Sequence, residues 1–169
     1  MLSSVPLTAP DSVSTVFESE RPLDLAMSVS QLRRGKGDPT FERDSAGSIW
    51  RASRMPSGTV TYRLTQLTRH SVRCIAWGGG ADEFMGRLPA LLGDDDDCDG
   101  FEPEHPTLKE AHRQFPHLRI GRTGLVMEAL APSVLEQRVH GVSAFASWRM
   151  LVSKFGERAP GPTPRPMFV

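Results

Sequence analysis

The stretch GRTGLVMEALAPSVLEQRVHGVSAFASWRMLVSKF, residues 121–155, decides how this chain is read. Met127, Leu130, Ala131, Val134, Leu135 and Val139 recur at three and four residues, the spacing that gathers apolar side chains on one helix face. Ala144, Trp148, Leu151, Val152 and Phe155 form a second stripe, and Gly156 stands where that helix ends. Between the stripes, Gln137 to Gly141 is short and polar, so the segment reads as helix, turn, helix. Pro132 removes a backbone donor inside the first stripe, so a bend or a fresh helix start is expected there. Read as an ordinary turn, the segment tucks Val139 into the core. Two helices with apolar stripes need further partners, and residues 158–169 hold too much Pro and Gly to supply another helix. The pair is therefore read as the opening of a helical domain left incomplete in this chain.

Upstream, the period changes from helical to alternating. Val60, Tyr62, Leu64 and Gln66 alternate with Thr59, Thr61, Arg63 and Thr65, as in a strand with one buried face. Thr40–Asp44, Ser48–Met55, Thr59–Leu67 and Val72–Trp77 are expected as strands, separated by the turn-forming runs at 45–48, 56–58 and 68–71. An antiparallel meander with a packed helix follows. Leu25, Val29 and Leu32 give a short helix that Arg33-Arg34-Gly35 ends. Gly78-Gly79-Gly80 breaks the last strand, and Phe84, Leu88, Leu91 and Leu92 resume helical spacing, with Pro89 expected to kink or split that helix. Thr107–Phe115 is a further short helix between Pro106 and Pro116. The fold class is α+β. Its parts are a flexible arm over 1–20 with room for one short strand, an antiparallel α+β domain over 21–93, an acidic linker over 94–105, a partial helical domain over 106–157 and a Pro-rich tail over 158–169.

The 20 Lys and Arg balance the 20 Asp and Glu, which argues against a protein that grips nucleic acid by bulk charge alone. The charge is unevenly spread. Residues 86–105 carry seven acids against Arg87, whereas residues 106–169 carry nine basic residues against four glutamates. No run approaches a membrane span, and the start lacks the basic and apolar regions of a leader, so an unanchored cytoplasmic protein is expected. Cys74 and Cys98 have no metal-ligand spacing and are expected as free thiols. Asp95-x-Asp97-x-Asp99-Gly100 copies the first half of a calcium loop, but its twelfth position is Pro106, so it reads as a solvated acidic loop. His70, His105, His112, His117 and His140 form no metal pair; Trp77-Gly-Gly-Gly80 is no phosphate loop; no G-x-S-x-G elbow occurs. No metal or cofactor is expected.

Leu130-Ala-Pro-Ser-Val-Leu-Glu-Gln-Arg-Val-His-Gly141, followed by Trp148-Arg-x-Leu-Val-x-x-Phe-Gly-Glu157, resembles the DNA-3-methyladenine glycosylase II family of the helix-hairpin-helix superfamily. Pro22-Leu-Asp-Leu25, Leu32-Arg-Arg-Gly-Lys-Gly-Asp-Pro-Thr-Phe41, Ile49-Trp-Arg-Ala52, Ala76-Trp-Gly78, Leu88-Pro-Ala-Leu-Leu-Gly-Asp94 and Gly121-Arg-Thr-Gly-Leu125 resemble that family's leading half, in order. The resemblance covers about Arg21 to Glu157 and implies base-excision repair: an alkylated base is flipped from double-stranded DNA and its N-glycosidic bond is cleaved. It places Gln137, Arg138, Val139, His140 and Gly141 at the minor groove, with Arg138 in the gap left by the flipped base, where some relatives carry an apolar wedge. No membrane and no obligate protein partner is implied, and a DNA-binding protein would associate with the nucleoid.

Two parts of the family's pattern have no counterpart here: the Leu-Pro-Gly-x-Gly hairpin and the downstream aspartate that supports positive charge developing on the sugar. No residue is therefore assigned a catalytic role. The expectation is a glycosylase-family chain, truncated and inactive alone; the alternatives are a non-catalytic DNA-binding remnant and a decayed gene product.

Overall fold

A computed structural model describes residues 12–169. Its sheet runs in the order β1 (Ser12–Glu18), β5 (Ser71–Trp77), β4 (Gly58–Gln66), β3 (Ile49–Met55), β2 (Phe41–Arg43), with every neighbouring pair antiparallel. Strands β2 (Phe41–Arg43), β3 (Ile49–Met55), β4 (Gly58–Gln66) and β5 (Ser71–Trp77) form the expected meander. The short strand allowed for in the N-terminal arm is a sheet edge: β1 (Ser12–Glu18) pairs with β5 along its whole length, from Ser12 opposite Trp77 to Glu18 opposite Ser71. Residues 1–11 of that arm lie outside the described residues.

Alternation sends Val60, Tyr62 and Leu64 of β4, and Val72, Cys74 and Ala76 of β5, to one face. That face is covered by α1 (Leu25–Val29) and α2 (Ala81–Leu91), which add Leu25, Val29, Phe84, Leu88 and Leu91 to the core. Asp24 caps α1 through the Met27 amide at 2.9 Å, and Tyr62 stacks on Phe84 with centroids 3.8 Å apart. Helix α2 is not split at Pro89. The proline falls in the last turn, where one missing donor is tolerated, and the helix continues to Leu91.

The other sheet face carries Trp50, Ala52 and Trp77, the two indoles stacked with centroids 5.4 Å apart. The Pro-rich tail covers them. Arg158 and Phe168 form an antiparallel bridge, Ala159 N–H donates to Met167 C=O at 2.9 Å, and Met167 is fully buried against the tryptophans. Arg165 clamps the strap to the sheet by pairing with Glu42 and donating to the Phe41 carbonyl at 3.1 Å.

Helix α3 (Pro106–Gln114) follows the acidic loop, and α4 (Val126–Leu135) and α5 (Gly141–Phe155) form the helix pair. Pro132 neither ends nor restarts α4, which runs through it. Gly156 ends α5 in extended backbone, its need for glycine set by close approach to the Val152 and Val169 carbonyls. No helix among the described residues is long and apolar enough to cross a membrane.

Candidate nucleic-acid interface

Helix α5 is fastened by the loop that precedes β2. Asp38, fully buried, accepts hydrogen bonds from the Arg34 amide at 2.7 Å, the Thr40 amide and hydroxyl at 2.9 Å each, and Trp148 Nε1 at 3.1 Å. Four donors converge on one carboxylate, which is how a buried charge is made affordable. Gly35 (φ 74°) lets the Phe145 ring press on the loop backbone: a Cβ there would lie 2.5 Å from the ring. Arg149 reaches the Lys36 carbonyl at 3.3 Å.

Helix α4 is fastened differently, since Pro132 is its one buried residue among those described. Glu128 pairs with Arg51 of β3 and accepts from Ser53 Oγ at 3.1 Å, while Glu136 at the helix end pairs with Arg34 at 3.5 Å. Burial of the Arg51 guanidinium works against its charge, but Tyr62, Glu128 and Asp38 outweigh it and hold its pKa above the ordinary arginine value. Burial likewise pushes the Tyr62 phenol up, so the pair stays a cation beside a neutral hydroxyl.

With both helices anchored, the turn between them projects outward. Gln137, Arg138, Val139, His140 and Gly141 are all exposed. Val139, at 51 % exposure, does not tuck into the core: the turn closes through the Gln137 amide on Val134 C=O at 3.3 Å and needs no apolar anchor. Arg138 has φ 56°, the one left-handed non-glycine backbone among the described residues. His140 starts α5 by accepting from the Ser143 and Ala144 amides through its carbonyl, at 2.9 and 3.0 Å.

The structure also brings Arg34 to the edge of this turn through its pair with Glu136, and sets the Lys36 carbonyl against Arg149 of α5. Sequence reasoning treated Arg33 and Arg34 as a helix terminator. The composition Arg-Arg-Gly-Lys-Gly was a usable signal, because glycines that let backbone approach and basic side chains together suit phosphate contact. No cluster of His, Cys, Asp and Glu able to hold a metal occurs among the described residues.

No family model matches this sequence, and no curated protein matches it. Solved structures do. The 3-methyladenine DNA-glycosylase from Archaeoglobus fulgidus superposes with a TM-score of 0.72 at 14 % identity, covering 92 % of this chain and 55 % of that one. MBOgg1, in a structure with a low-affinity DNA ligand, superposes with a TM-score of 0.60 at 13 % identity, covering 92 % of this chain and 50 % of that one. The chain shares its fold with these DNA glycosylases and spans about half the length of either.

Proposed function

We propose that the chain is the sheet-and-first-helices half of a DNA glycosylase of base-excision repair, acting on duplex DNA that carries alkylated bases. The observation that carries this reading is the shared fold with the 3-methyladenine glycosylase across 92 % of the chain. The α4–α5 turn is the element that approaches the minor groove. Arg138 enters the space vacated by a flipped base and stacks its guanidinium on a neighbouring base face, while Gln137, Val139, His140 and the Gly141 amide line the strand around it. Arg33, Lys36 and Arg149 meet phosphates.

Glu128 is held to the sheet through its Oε1, which accepts from both Arg51 and Ser53, as suits a carboxylate that fastens α4. In this reading the chain alone binds duplex DNA without releasing bases. Val126, Met127 and Leu130 of α4 and Met150 and Phe155 of α5 are exposed apolar side chains, as suits faces that a further helical half covers.

Fluorescence anisotropy with a duplex containing an abasic-site analogue tests this reading. Binding tighter than to intact duplex, weakening as salt rises and reduced by Arg138→Ala, is expected. Equal affinity for both duplexes with no effect of Arg138→Ala would refute the assignment of the turn. Release of 3-methyladenine from methylated duplex by the chain alone would refute its inactivity.

A further inference from the structure

The acidic loop and α3 enclose a feature that the DNA-facing side does not use. Leu108 of α3, with Phe115, Leu118, Ile120 and Phe101, lines an open hollow of about 360 Å³. All five side chains are exposed, Ile120 by 72 %, and no residue of α3 is buried. Helix α3 is amphipathic: Leu108, Ala111 and Phe115 follow one another at helical spacing, with Lys109, Glu110 and Arg113 on the other side. Its apolar face is thus formed and held, with His112 edge-on to Phe101 at 5.6 Å between ring centroids.

The rim is acidic. Asp95 is paired with Arg122, and the Asp96 carboxylate accepts the Ile120 amide at 3.0 Å, which ties the loop to the hollow's far wall. Asp97 lines the hollow beside Asp96, and Asp99, Glu102 and Glu104 of the same loop are exposed; none of Asp97, Asp99, Glu102 and Glu104 makes an ion pair with a described residue. Such a rim repels DNA phosphate and attracts cations. Apolar floor and anionic rim together select an occupant that is apolar at its centre and basic at its flanks.

We propose that this hollow docks a protein segment presenting a Leu- or Phe-sized side chain flanked by lysines or arginines. The anchor enters between Leu108, Phe115 and Ile120, and the flanking cations meet Asp97, Asp99 and Glu102. The site faces a protein partner independently of the DNA-binding turn, so its failure leaves the functional reading above untouched.

The probe is a fluorescein-labelled amphipathic peptide of Leu and Lys, titrated with the whole chain and followed by anisotropy. The expected result is saturable binding that weakens with salt, with no binding of a Leu/Glu peptide. Leu108→Asp with Ile120→Asp, both at exposed positions, weakens binding about tenfold or more with the circular dichroism unchanged. Asp97→Asn with Glu102→Gln weakens it and flattens the salt dependence. Alkylation of Cys98, exposed on the rim and contacted by Arg21 at 2.9 Å, is slowed by the bound peptide. Cys74 does not confuse that readout, since it is buried in the sheet. Equal binding of the Leu/Glu peptide, or of the Leu/Lys peptide to the Leu108→Asp and Ile120→Asp variant, overturns the proposal; so does Cys98 alkylation that the peptide leaves unchanged.

Discussion

Arg138 holds a left-handed backbone (φ 56°) that costs a residue with a Cβ about 1 kcal/mol. Glycine carries no such cost, so Arg138→Gly is expected to leave stability equal or raise it by about 1 kcal/mol while weakening duplex binding. Urea unfolding and anisotropy read the two effects separately; a loss of stability would mean the arginine side chain is structural and not kept for contact. Asp44 illustrates the opposite case, a side chain whose work is local. Its Oδ2 accepts from Trp50 Nε1 at 2.8 Å and its Oδ1 from the Ser48 and Ala46 amides at 2.9 and 3.0 Å. The Trp50 bond, joined by the Ser48 amide, Arg63 and the Ala46 amide, holds its pKa below the ordinary aspartate value, although burial pushes the other way. A carboxylate whose folded pKa is depressed stabilises fully above its unfolded value and loses that contribution as pH falls through the folded one. Acid titration of the urea midpoint should therefore show a decline beginning below about pH 4, and Asp44→Asn should flatten it. A variant with the same acid profile as the parent would show that Asp44 does not drive the decline.

The elements differ in how they are held, and that decides both what was legible and what will yield first. The meander was legible because β4 alternates over its whole length, and α5 because its stripe is uninterrupted. Strand β1 was legible only as room for one short strand because, at a sheet edge, only Phe17 of its seven residues is buried, which leaves little alternation to detect. Neither Pro89 nor Pro132 divides its helix, so of the outcomes expected at each the break is excluded. The turn at 137–141 follows from its position between two stripes, whereas Arg34 joins its edge through a contact about a hundred residues apart in the chain, with Glu136. Helix α4 depends on Glu128. Removing that carboxylate leaves the Arg51 charge buried without its partner, so Glu128→Ala is expected to destabilise by about 3–5 kcal/mol. Because α4 has so little buried surface of its own, amide exchange should rise first in Val126–Leu135 and least in β4 and β5. Uniform acceleration across the sheet would mean that α4 and the sheet open as one unit.

At the scale of the molecule, the sheet is closed on both faces by unlike covers: two helices over Val60, Leu64 and Cys74 on one side, and a strap of residues 158–169 over Trp50 and Trp77 on the other. Proline and glycine richness correctly excluded a helix in that strap. It gave no hint of the packing, because the partners of Met167 and Ala159 lie on β3 and β5. The strap's contribution rests on one fully buried side chain, so Met167→Ala should cost about 2–5 kcal/mol. The two covers also allow local and global opening to be told apart. Uncapping the tryptophans shifts their emission to the red, whereas Cys74 lies on the opposite face and labels only when the sheet itself opens. Burial pushes its thiol up to about 12, which suppresses thiolate chemistry further. Met167→Ala, and deletion of 158–169, should therefore redden the emission without denaturant while Cys74 stays resistant to alkylation. If Cys74 labels as readily as the emission shifts, the strap is part of the cooperative core, and the second face does not open alone.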